Sequence, residues 1–167
     1  MNQEKFKKKK GAFLDRDGVI NLDTGYVHKI QDFRWIKGIK KTIKLLNKLN
    51  YVVIVITNQS GVKRGYFTEE ELNKLHEWIN QELKKNNAYI DDFFYCTDLP
   101  KENILKSRRK PSPEMINEAI KKYNLERNQC FFIGDKQTDL QAAKNARIKG
   151  FLFEGGDIFD MIQKILN

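Results

Sequence analysis

The segment YVVIVITNQSG, residues 51–61, joins a continuous apolar run to a polar turn. Most residues of the run are β-branched, and a strand that is apolar at every position is typical of a parallel sheet covered on both faces. The turn carries the hydroxyl and amide side chains of Thr57, Asn58, Gln59 and Ser60. The segment therefore predicts a buried strand that ends in polar groups at one edge of a sheet.

Strand and helix patterns alternate on both sides of this segment. Further strands are predicted at 12–14, 92–96, 130–133 and 150–153, and helices at 38–49, 68–85, 139–147, after Ser112 and after Asp157. Two helix starts carry specific signals: Thr68 forms a capping box with Glu71, and Ser112 is an N-cap that precedes Pro113. This alternation predicts an α/β domain with a doubly wound parallel sheet flanked by helices.

The length of 167 residues and a hydrophobic content of 40% fit one globular domain with a real core. We expect a single domain over residues 1–167, in which residues 1–10 form a basic N-terminal extension. The segment between Asp17 and Thr57 is short and largely filled by a predicted helix. It leaves no room for a separate cap domain, so the site should be open.

The formal net charge of +9 indicates either an anionic partner or a strongly solvated surface. Nucleic-acid binding would favour basic residues clustered with aromatics, whereas most lysines here are spread over the predicted helices. The run KSRRKP at 106–111 is the exception. We expect a small anionic substrate as the partner of a monomer, with no membrane and no nucleic-acid partner.

Sequence features also predict the compartment. The longest apolar run, residues 52–56, is too short to cross a bilayer, and the basic residues Lys7 to Lys10 are not followed by the long apolar run of a signal peptide. The two cysteines, Cys96 and Cys130, lie at the edges of apolar runs and fit buried thiols better than a disulfide scaffold. We therefore expect a reducing, cytoplasmic setting.

Ionisable residues gather where the predicted strands end, which is where open α/β sheets bind ligands. Asp15 and Asp17 follow the first strand, Asp135 and Asp139 follow the fourth, and Lys110 precedes a helix. Each alone has a structural reading as a turn former, a helix cap or a surface lysine. Carboxylates gathered at one edge repel one another unless a cation lies among them, and oxygen ligands suit Mg²⁺.

This set of residues can perform phosphoryl transfer. Asp15 could attack phosphorus to give an aspartyl phosphate, while Asp17 protonates the leaving alkoxide and then activates water. Thr57, Lys110 and backbone N–H groups of the 58–61 turn would stabilise the charge on the phosphoryl oxygens.

At these positions the sequence resembles the haloacid dehalogenase superfamily of aspartate-nucleophile phosphatases. Its four motifs occur in order as DxDG at 15–18, Thr57, Lys110 and GDxxxD at 134–139. The stretches TNQSGVKRG, RKP and GDKQTD are similar to the branch of histidinol-phosphate phosphatases and D-glycero-D-manno-heptose 1,7-bisphosphate phosphatases. The loop NLDTGYVH, residues 21–28, is closer to the heptose enzymes.

The resemblance implies Mg²⁺ ligation by Asp15, the backbone carbonyl of Asp17 and Asp135, with Asp139 behind them orienting Lys110 or the metal site. Implied substrate contacts are Asp23, Thr24, Gly25, Tyr26, Asn58, Gln59, Ser60, Arg109 and Lys136. A second phosphate would explain the basic residues Lys106, Arg108, Arg109 and Lys136.

The implied reaction removes the C7 phosphate of heptose 1,7-bisphosphate in the synthesis of lipopolysaccharide or capsule precursors. Histidinol phosphate and a polynucleotide 3′-phosphate are alternative substrates. A phosphoacceptor receiver domain is an alternative of a different class, because it also uses Asp, Thr, Lys and Mg²⁺. It would need a phosphorylated aspartate after the third strand, where Asp98 is the one nearby candidate.

One departure concerns zinc, which members of this branch usually hold with a Cys-x-His and a Cys-x-Cys pair. Here Cys96 remains, Asp98 stands in the histidine place, and Lys106 and Arg108 stand in the cysteine places. One thiol cannot complete a tetrahedral zinc site, so we predict that no zinc is bound. The 97–110 loop would then be ordered by packing or by substrate, or be mobile.

Overall fold

The computed structural model describes residues 8–102 and 105–167. These ranges form the strands β1 (Lys9–Leu14), β2 (Tyr51–Asn58), β3 (Asp92–Cys96), β4 (Leu125–Gly134) and β5 (Lys149–Leu152). The helices are α1 (Ile39–Lys48), α2 (Glu69–Lys84), α3 (Glu114–Tyr123), α4 (Gln137–Asn145) and α5 (Ile158–Leu166). Strands and helices alternate as the sequence predicts.

The strands form one parallel sheet in the order β3-β2-β1-β4-β5. Central β1 pairs Phe13 with Ile54 of β2 on one side and with Phe132 of β4 on the other. The chain winds from β1 outward through β2 to β3 and then returns to β4, so the strand order reverses between β1 and β4. Open α/β sheets bind ligands at the carboxyl ends of their strands at such a reversal.

Both faces of the sheet are covered by apolar helix faces. Along β2, Val53 and Val55 point into the core beneath α1, α2 and α5, whereas Ile54 and Ile56 point into the core beneath α3 and α4. Successive side chains of a strand face opposite sides, so both sets are buried only when helices cover both faces. This arrangement confirms the doubly wound α/β fold.

Two strands, β4 and β1, begin several residues earlier than the sequence predicts. β4 begins at Leu125 rather than at residue 130, and Leu125 pairs with Lys9, so the sheet extends across a register shift. Lys9 and Lys10 therefore belong to β1 rather than to the predicted basic extension of residues 1–10, of which 1–7 lie outside the described residues. The first half of β4 is mostly polar, so its sequence lacks the apolar pattern by which the other strands are predicted.

One predicted helix start is confirmed, and two helices begin at residues other than those predicted. Thr68 and Glu71 form the predicted capping box of α2. The N-cap of α3 is Pro113 instead of Ser112, whose Oγ accepts a long hydrogen bond of 3.4 Å from the N–H of Glu114. α4 begins at Gln137, two residues before Asp139, because the Asp139 carboxylate accepts N–H groups that precede the helix.

The segment between β1 and α1 is a loop with one short 3-10 turn, Ile30–Asp32, anchored by the buried side chains of Val27 and Phe33. Within residues 8–102 and 105–167, no separate cap domain stands over the sheet edge, in agreement with the prediction. In the same ranges, none of the helices combines the length and the apolar character that crossing a membrane would require.

The buried centre of β2 allows a stability test. Ile54 is fully buried, whereas 39% of Leu49, at the end of α1, is exposed. We expect Ile54→Ala to lower the free energy of unfolding by about 2–5 kcal/mol, because it removes buried methyl groups and leaves a cavity. Leu49→Ala should change the same quantity by less than about 1 kcal/mol in denaturant titrations. Equal losses for the two variants would contradict the packing described for β2.

Candidate active site

Asp15 follows β1 and is buried at the carboxyl edge of the sheet. Its Oδ1 accepts hydrogen bonds from the Lys110 ammonium at 2.8 Å and from the Arg16 N–H at 2.8 Å. Burial raises the pKa of Asp15 to about 8, although the charge of Lys110 acts in the opposite direction. An ionised Asp15 at neutral pH therefore needs positive charge in addition to Lys110.

Lys110 reaches this edge from the loop before α3, and its side chain is almost completely buried at the base of the site. Its Nζ lies 2.8 Å from Asp15 Oδ1 and 2.7 Å from Asp139 Oδ1, and it donates a hydrogen bond of 2.9 Å to the carbonyl of Ile56. Burial alone would lower the pKa of Lys110, but the two carboxylates outweigh burial and raise the pKa. Lys110 is therefore held as a cation with all three of its protons engaged.

Three carboxylates converge beside this ammonium. Asp15, Asp135 and Asp139 each place one oxygen within 4.8 Å of the others. Asp139 uses Oδ1 for Lys110 and Oδ2 for the N–H groups of Asp135 and Lys136, each at 3.1 Å. Its oxygens are thus engaged in positioning, which is the role that the family resemblance implies.

Asp135 differs from Asp139 in that one of its carboxylate oxygens accepts no hydrogen bond from the described residues. Its Oδ1 is buried and has no hydrogen-bond partner among the described residues, and burial raises the pKa of its carboxyl group. A buried carboxylate oxygen without a partner is costly unless a cation satisfies it. Hard oxygen donors from Asp15 and Asp135 fit Mg²⁺ in type, and the predicted third donor, the carbonyl of Asp17, follows in the same turn.

Gly18 makes room for this arrangement. Its φ of +93° lies in the left-handed region, and a Cβ added there would stand 2.1 Å from Asp135 Oδ2. A side chain would strain the backbone and displace the Asp135 carboxylate. The glycine of the DxDG motif therefore lets the turn after β1 lie against the turn after β4.

Asp17 is held by a different set of partners. Its Oδ1 accepts hydrogen bonds of 2.9 Å from Arg16 Nη2 and from Asn21 Nδ2, and its Oδ2 accepts one of 2.8 Å from Gln59 Nε2. The carboxylate is fixed at the cavity, while Asp15 bonds to Lys110. The two aspartates of the motif thus have separate environments, which suits separate chemical roles.

Arg16 and Asn21 are functional candidates that the sequence prediction missed. Arg16 is fully buried, donates a hydrogen bond of 2.5 Å to the carbonyl of Val27, and lies with Nη1 3.3 Å from His76 Nε2. Burial, with the charge of Arg16, lowers the pKa of His76 well below its usual value, so a neutral imidazole accepts this bond. The motif carried no local signal for this role, because the burial of Arg16 depends on contacts with Val27 and with His76, 60 residues away.

The turn after β2 supports the site with its side chains. Asn58 Oδ1 accepts the N–H of Lys110 at 3.0 Å, and Asn58 Nδ2 donates to the Lys110 carbonyl at 3.3 Å. Gln59 Nε2 donates to Thr57 Oγ1 at 2.9 Å as well as to Asp17. Asn58 and Gln59, predicted as substrate contacts, therefore position Lys110 and Asp17 in this structure, and direct contact with substrate stays a prediction.

A cavity of about 1080 Å³ opens over this edge. The predicted residues that line it are Asp15, Asp17, Asp23, Gly25, Tyr26, Thr57, Asn58, Gln59, Ser60, Arg109, Lys110, Lys136 and Asp139. Thr24 and Asp135 do not line it: Thr24 is exposed on the loop, and Asp135 lies beside the Gly18 turn. The structure thus brings nearly all the predicted residues to one place.

The loop at 21–28 forms one wall of the cavity. Asp23 Oδ2 pairs with Lys136 Nζ at 2.9 Å, and the ring of Tyr26 meets the ring of Tyr66 edge-on with centroids 4.8 Å apart. Burial opposes ionisation of Asp23, but hydrogen bonds from Lys136 and Gly25 hold its pKa below the usual value. The loop is therefore tied to both the α4 side and the β2 side of the site.

Comparison with known proteins agrees with this geometry. The model of the haloacid dehalogenase-like hydrolase family matches residues 7–153. A D-glycero-beta-D-manno-heptose-1,7-bisphosphate 7-phosphatase of Rhodopseudomonas palustris is 42% identical over 93% of this chain and 89% of its own. A D-glycero-alpha-D-manno-heptose-1,7-bisphosphate 7-phosphatase of Photorhabdus laumondii is 39% identical over 88% and 84%.

A solved structure extends the comparison to three dimensions. The D,D-heptose 1,7-bisphosphate phosphatase of B. bronchiseptica, complexed with magnesium and phosphate, superposes with a TM-score of 0.82 at 29% identity. The match covers 93% of this chain and 86% of that one. With the buried aspartate, the enclosed lysine and the paired acids at one sheet edge, these matches show that the chain belongs to the haloacid dehalogenase-like hydrolase family.

Proposed function

We propose that this chain is a Mg²⁺-dependent phosphatase that removes the C7 phosphate of D-glycero-D-manno-heptose 1,7-bisphosphate. The observation that carries the proposal is the buried pair of Asp15 and Lys110 beside the unpartnered oxygen of Asp135. The 42% and 39% identical relatives act, by name, on the β and α forms of this bisphosphate. Their coverage of most of the chain supports a shared substrate class.

The geometry supports a two-step reaction. An oxygen of Asp15 attacks phosphorus, the bond from phosphorus to the C7 oxygen breaks, and Asp17 donates a proton to the departing alkoxide. Asp17 then takes a proton from a water molecule that attacks the aspartyl phosphate, which releases inorganic phosphate and restores Asp15. Gln59 and Asn21 hold Asp17 at the cavity for both proton transfers.

Positive charge supports both steps. Lys110 stays protonated against Asp15 and Asp139 and places its charge beside the attacking oxygen. Mg²⁺ held by Asp15 and Asp135, and by the Asp17 carbonyl that the resemblance implies, would keep Asp15 ionised and offset the charge of the phosphoryl group. Thr57 lines the cavity next to these groups and can donate its hydroxyl to a phosphoryl oxygen.

The second phosphate of the substrate needs its own donors, and the four basic residues predicted for it are not equivalent. Arg108 lines the cavity but is engaged in a bidentate ion pair with Glu118 at 2.8 and 2.7 Å, and Lys136 is paired with Asp23. Lys106 is exposed at the outer end of the cavity. Arg109 lines the cavity without an ion pair among the described residues, so we assign the second phosphate chiefly to Arg109.

Replacement of the nucleophile tests the mechanism. We expect Asp15→Asn to lower phosphate release by at least about a thousandfold, because the amide cannot form the phosphoenzyme. Asp32→Asn, in the exposed 3-10 turn, is the matched control and should keep wild-type activity. Circular dichroism should show both variants folded. Retention of a tenth of wild-type activity by Asp15→Asn would contradict the assignment.

Metal dependence is a separate test. We expect EDTA to abolish phosphate release and added Mg²⁺ to restore it, since the carboxylates at the sheet edge need a cation. Asp135→Asn should raise the Mg²⁺ concentration for half-maximal activity by about tenfold or more, the scale expected when one charged ligand is lost. Activity that persists in EDTA would remove the metal from the proposal.

A comparison of candidate substrates tests the proposed specificity. We would compare phosphate release from both anomers of heptose 1,7-bisphosphate, histidinol phosphate and a 3′-phosphorylated oligonucleotide at equal concentrations. We expect kcat/KM for one heptose bisphosphate to exceed the values for the other two compounds by at least about tenfold. Histidinol phosphate has no second phosphate, and the internal phosphodiesters of the oligonucleotide carry one charge each, whereas the bisphosphate gives Arg109 a second phosphomonoester. A higher kcat/KM for histidinol phosphate or the oligonucleotide would reject the proposed substrate.

A further inference from the structure

The loop between β3 and α3 covers the region where relatives with the Cys-x-His and Cys-x-Cys pairs hold zinc. Here the four corresponding residues are Cys96, Asp98, Lys106 and Arg108, and two of them are cationic side chains that cannot bind a metal ion. Cys96 is buried at the end of β3, Asp98 bonds to Ser107, and Arg108 pairs with Glu118 on α3. Within the described residues, Cys96 belongs to no group of three metal-binding side chains, so this set does not fit a tetrahedral zinc ion.

The hydroxyl of Ser107 connects the two ends of this loop instead. Ser107 Oγ donates a hydrogen bond of 2.6 Å to Asp98 Oδ2 and accepts one of 3.0 Å from the N–H of Arg109. Arg109 Nη1 donates a hydrogen bond of 3.0 Å to the Asp98 carbonyl. We call Asp98, Ser107 and Arg109 the loop clamp. Its bonds run from residue 98 to residues 107 and 109 and form a closed ring.

A second contact joins the same loop to the turn after β2. Glu102 Oε2 accepts the N–H of Leu99 at 3.0 Å, and Glu102 Oε1 forms an ion pair with Lys63. The sulfur of Cys96 lies 3.9 Å from Ser107 Oγ, so the clamp lies where the remaining thiol points. The loop is thus tied to the body of the protein by polar contacts on two sides.

The clamp determines how Arg109 meets the cavity. One N–H of its guanidinium is used by a neutral carbonyl, and no carboxylate within the described residues forms an ion pair with it. Arg109 therefore keeps its full positive charge for a ligand. Lys110, the next residue, forms an ion pair with the nucleophile Asp15. Two consecutive residues thus have different partners: Lys110 contacts Asp15, and Arg109 lines the cavity.

We propose that Asp98 and Ser107 are positioning residues that hold Arg109 as the receptor for the second phosphate of the substrate, in place of a zinc ion. The proposal rests on the bisphosphatase function above. Asp98 and Ser107 act through Arg109, so they affect binding of a bisphosphate and have no effect on a monophosphate that does not reach Arg109. One hydrogen bond holds the backbone of Arg109 and one holds its guanidinium, and this restriction lowers the entropic cost of binding.

Kinetics with two substrates test the role in binding. For heptose 1,7-bisphosphate, Ser107→Ala should raise KM about three- to tenfold, the scale of one or two hydrogen bonds, with kcat within about twofold of wild type. For p-nitrophenyl phosphate, kcat/KM should not change. Ser107→Thr, which keeps a hydroxyl, should restore the wild-type KM. Ser112→Ala, the control serine of the same wall, should behave as wild type.

A double mutant isolates the path through Arg109. Arg109→Ala should raise the same KM at least as much as Ser107→Ala, and adding Ser107→Ala to Arg109→Ala should raise it no further. Additive increases, or an equal loss of activity towards p-nitrophenyl phosphate in Ser107→Ala, would overturn the proposed positioning role.

Amide hydrogen exchange tests the clamp without any substrate. In wild type, the Arg109 amide should be protected, and protection should be unchanged by a zinc chelator and lost in Ser107→Ala. Loss of protection on chelation, or stoichiometric zinc by elemental analysis, would overturn the clamp. A wild type that shows no preference for the bisphosphate, with exchange as expected, would reject the proposed substrate while leaving the clamp itself in place.

Discussion

The site depends on one enclosed cation, the ammonium of Lys110, which lies between the carboxylates of Asp15 and Asp139. A buried charge without a partner costs several kcal/mol. Lys110, Asp15 after β1 and Asp139 of α4 can therefore be buried as charged groups only when all three meet. Asp135 adds a further carboxylate beside this single cation. The resulting excess of negative charge is the physical reason that the site calls for a divalent metal.

A second layer of contacts separates the roles of the two aspartates in the DxDG motif. Asp15 faces Lys110, whereas Asp17 is bound by Arg16, Asn21 and Gln59. The buried Arg16 also bonds to the Val27 carbonyl, which links Asp17, the proposed proton donor, to the loop that forms one wall of the cavity. One arginine thus connects the candidate catalytic carboxylate to the wall of the cavity.

The loop after β3 shows how a chain can order the same region with different chemistry. Zinc needs several soft or nitrogen ligands that point to one place, and here only Cys96 remains of that set. Ser107 and Asp98 supply directed hydrogen bonds in its place, and the ring that they form ends on the arginine that lines the cavity. We therefore propose that the same three residues hold the loop and, through Arg109, recognise the second phosphate.

The sequence was sufficient for the order of the elements and for a hypothesis about the chemistry of the site. The apolar run at 51–57 required a strand buried on both faces, and the spacing of Asp15, Asp17, Thr57, Lys110 and Asp135 indicated phosphoryl transfer at one edge. It failed where polar residues formed part of β4 and where Ser112 resembled an N-cap. In both places, long-range pairing and local packing outweighed the local signal.

What the sequence by itself determined is the fold class, the residues of the candidate site and the need for a cation, because periodicity and charge repulsion are properties of residue types and spacings. Which donor meets which acceptor was decided only by the tertiary structure. Lys110 and Asp15 are 95 residues apart in the chain, and Asn58 reaches the Lys110 backbone across 52. The burial of Arg16 depends on contact with His76, 60 residues away, which no local pattern specifies. The ion pair of Arg108 with Glu118 and the clamp at Ser107 join residues at most 11 positions apart, but the partners that meet there depend on the folded path of the loop.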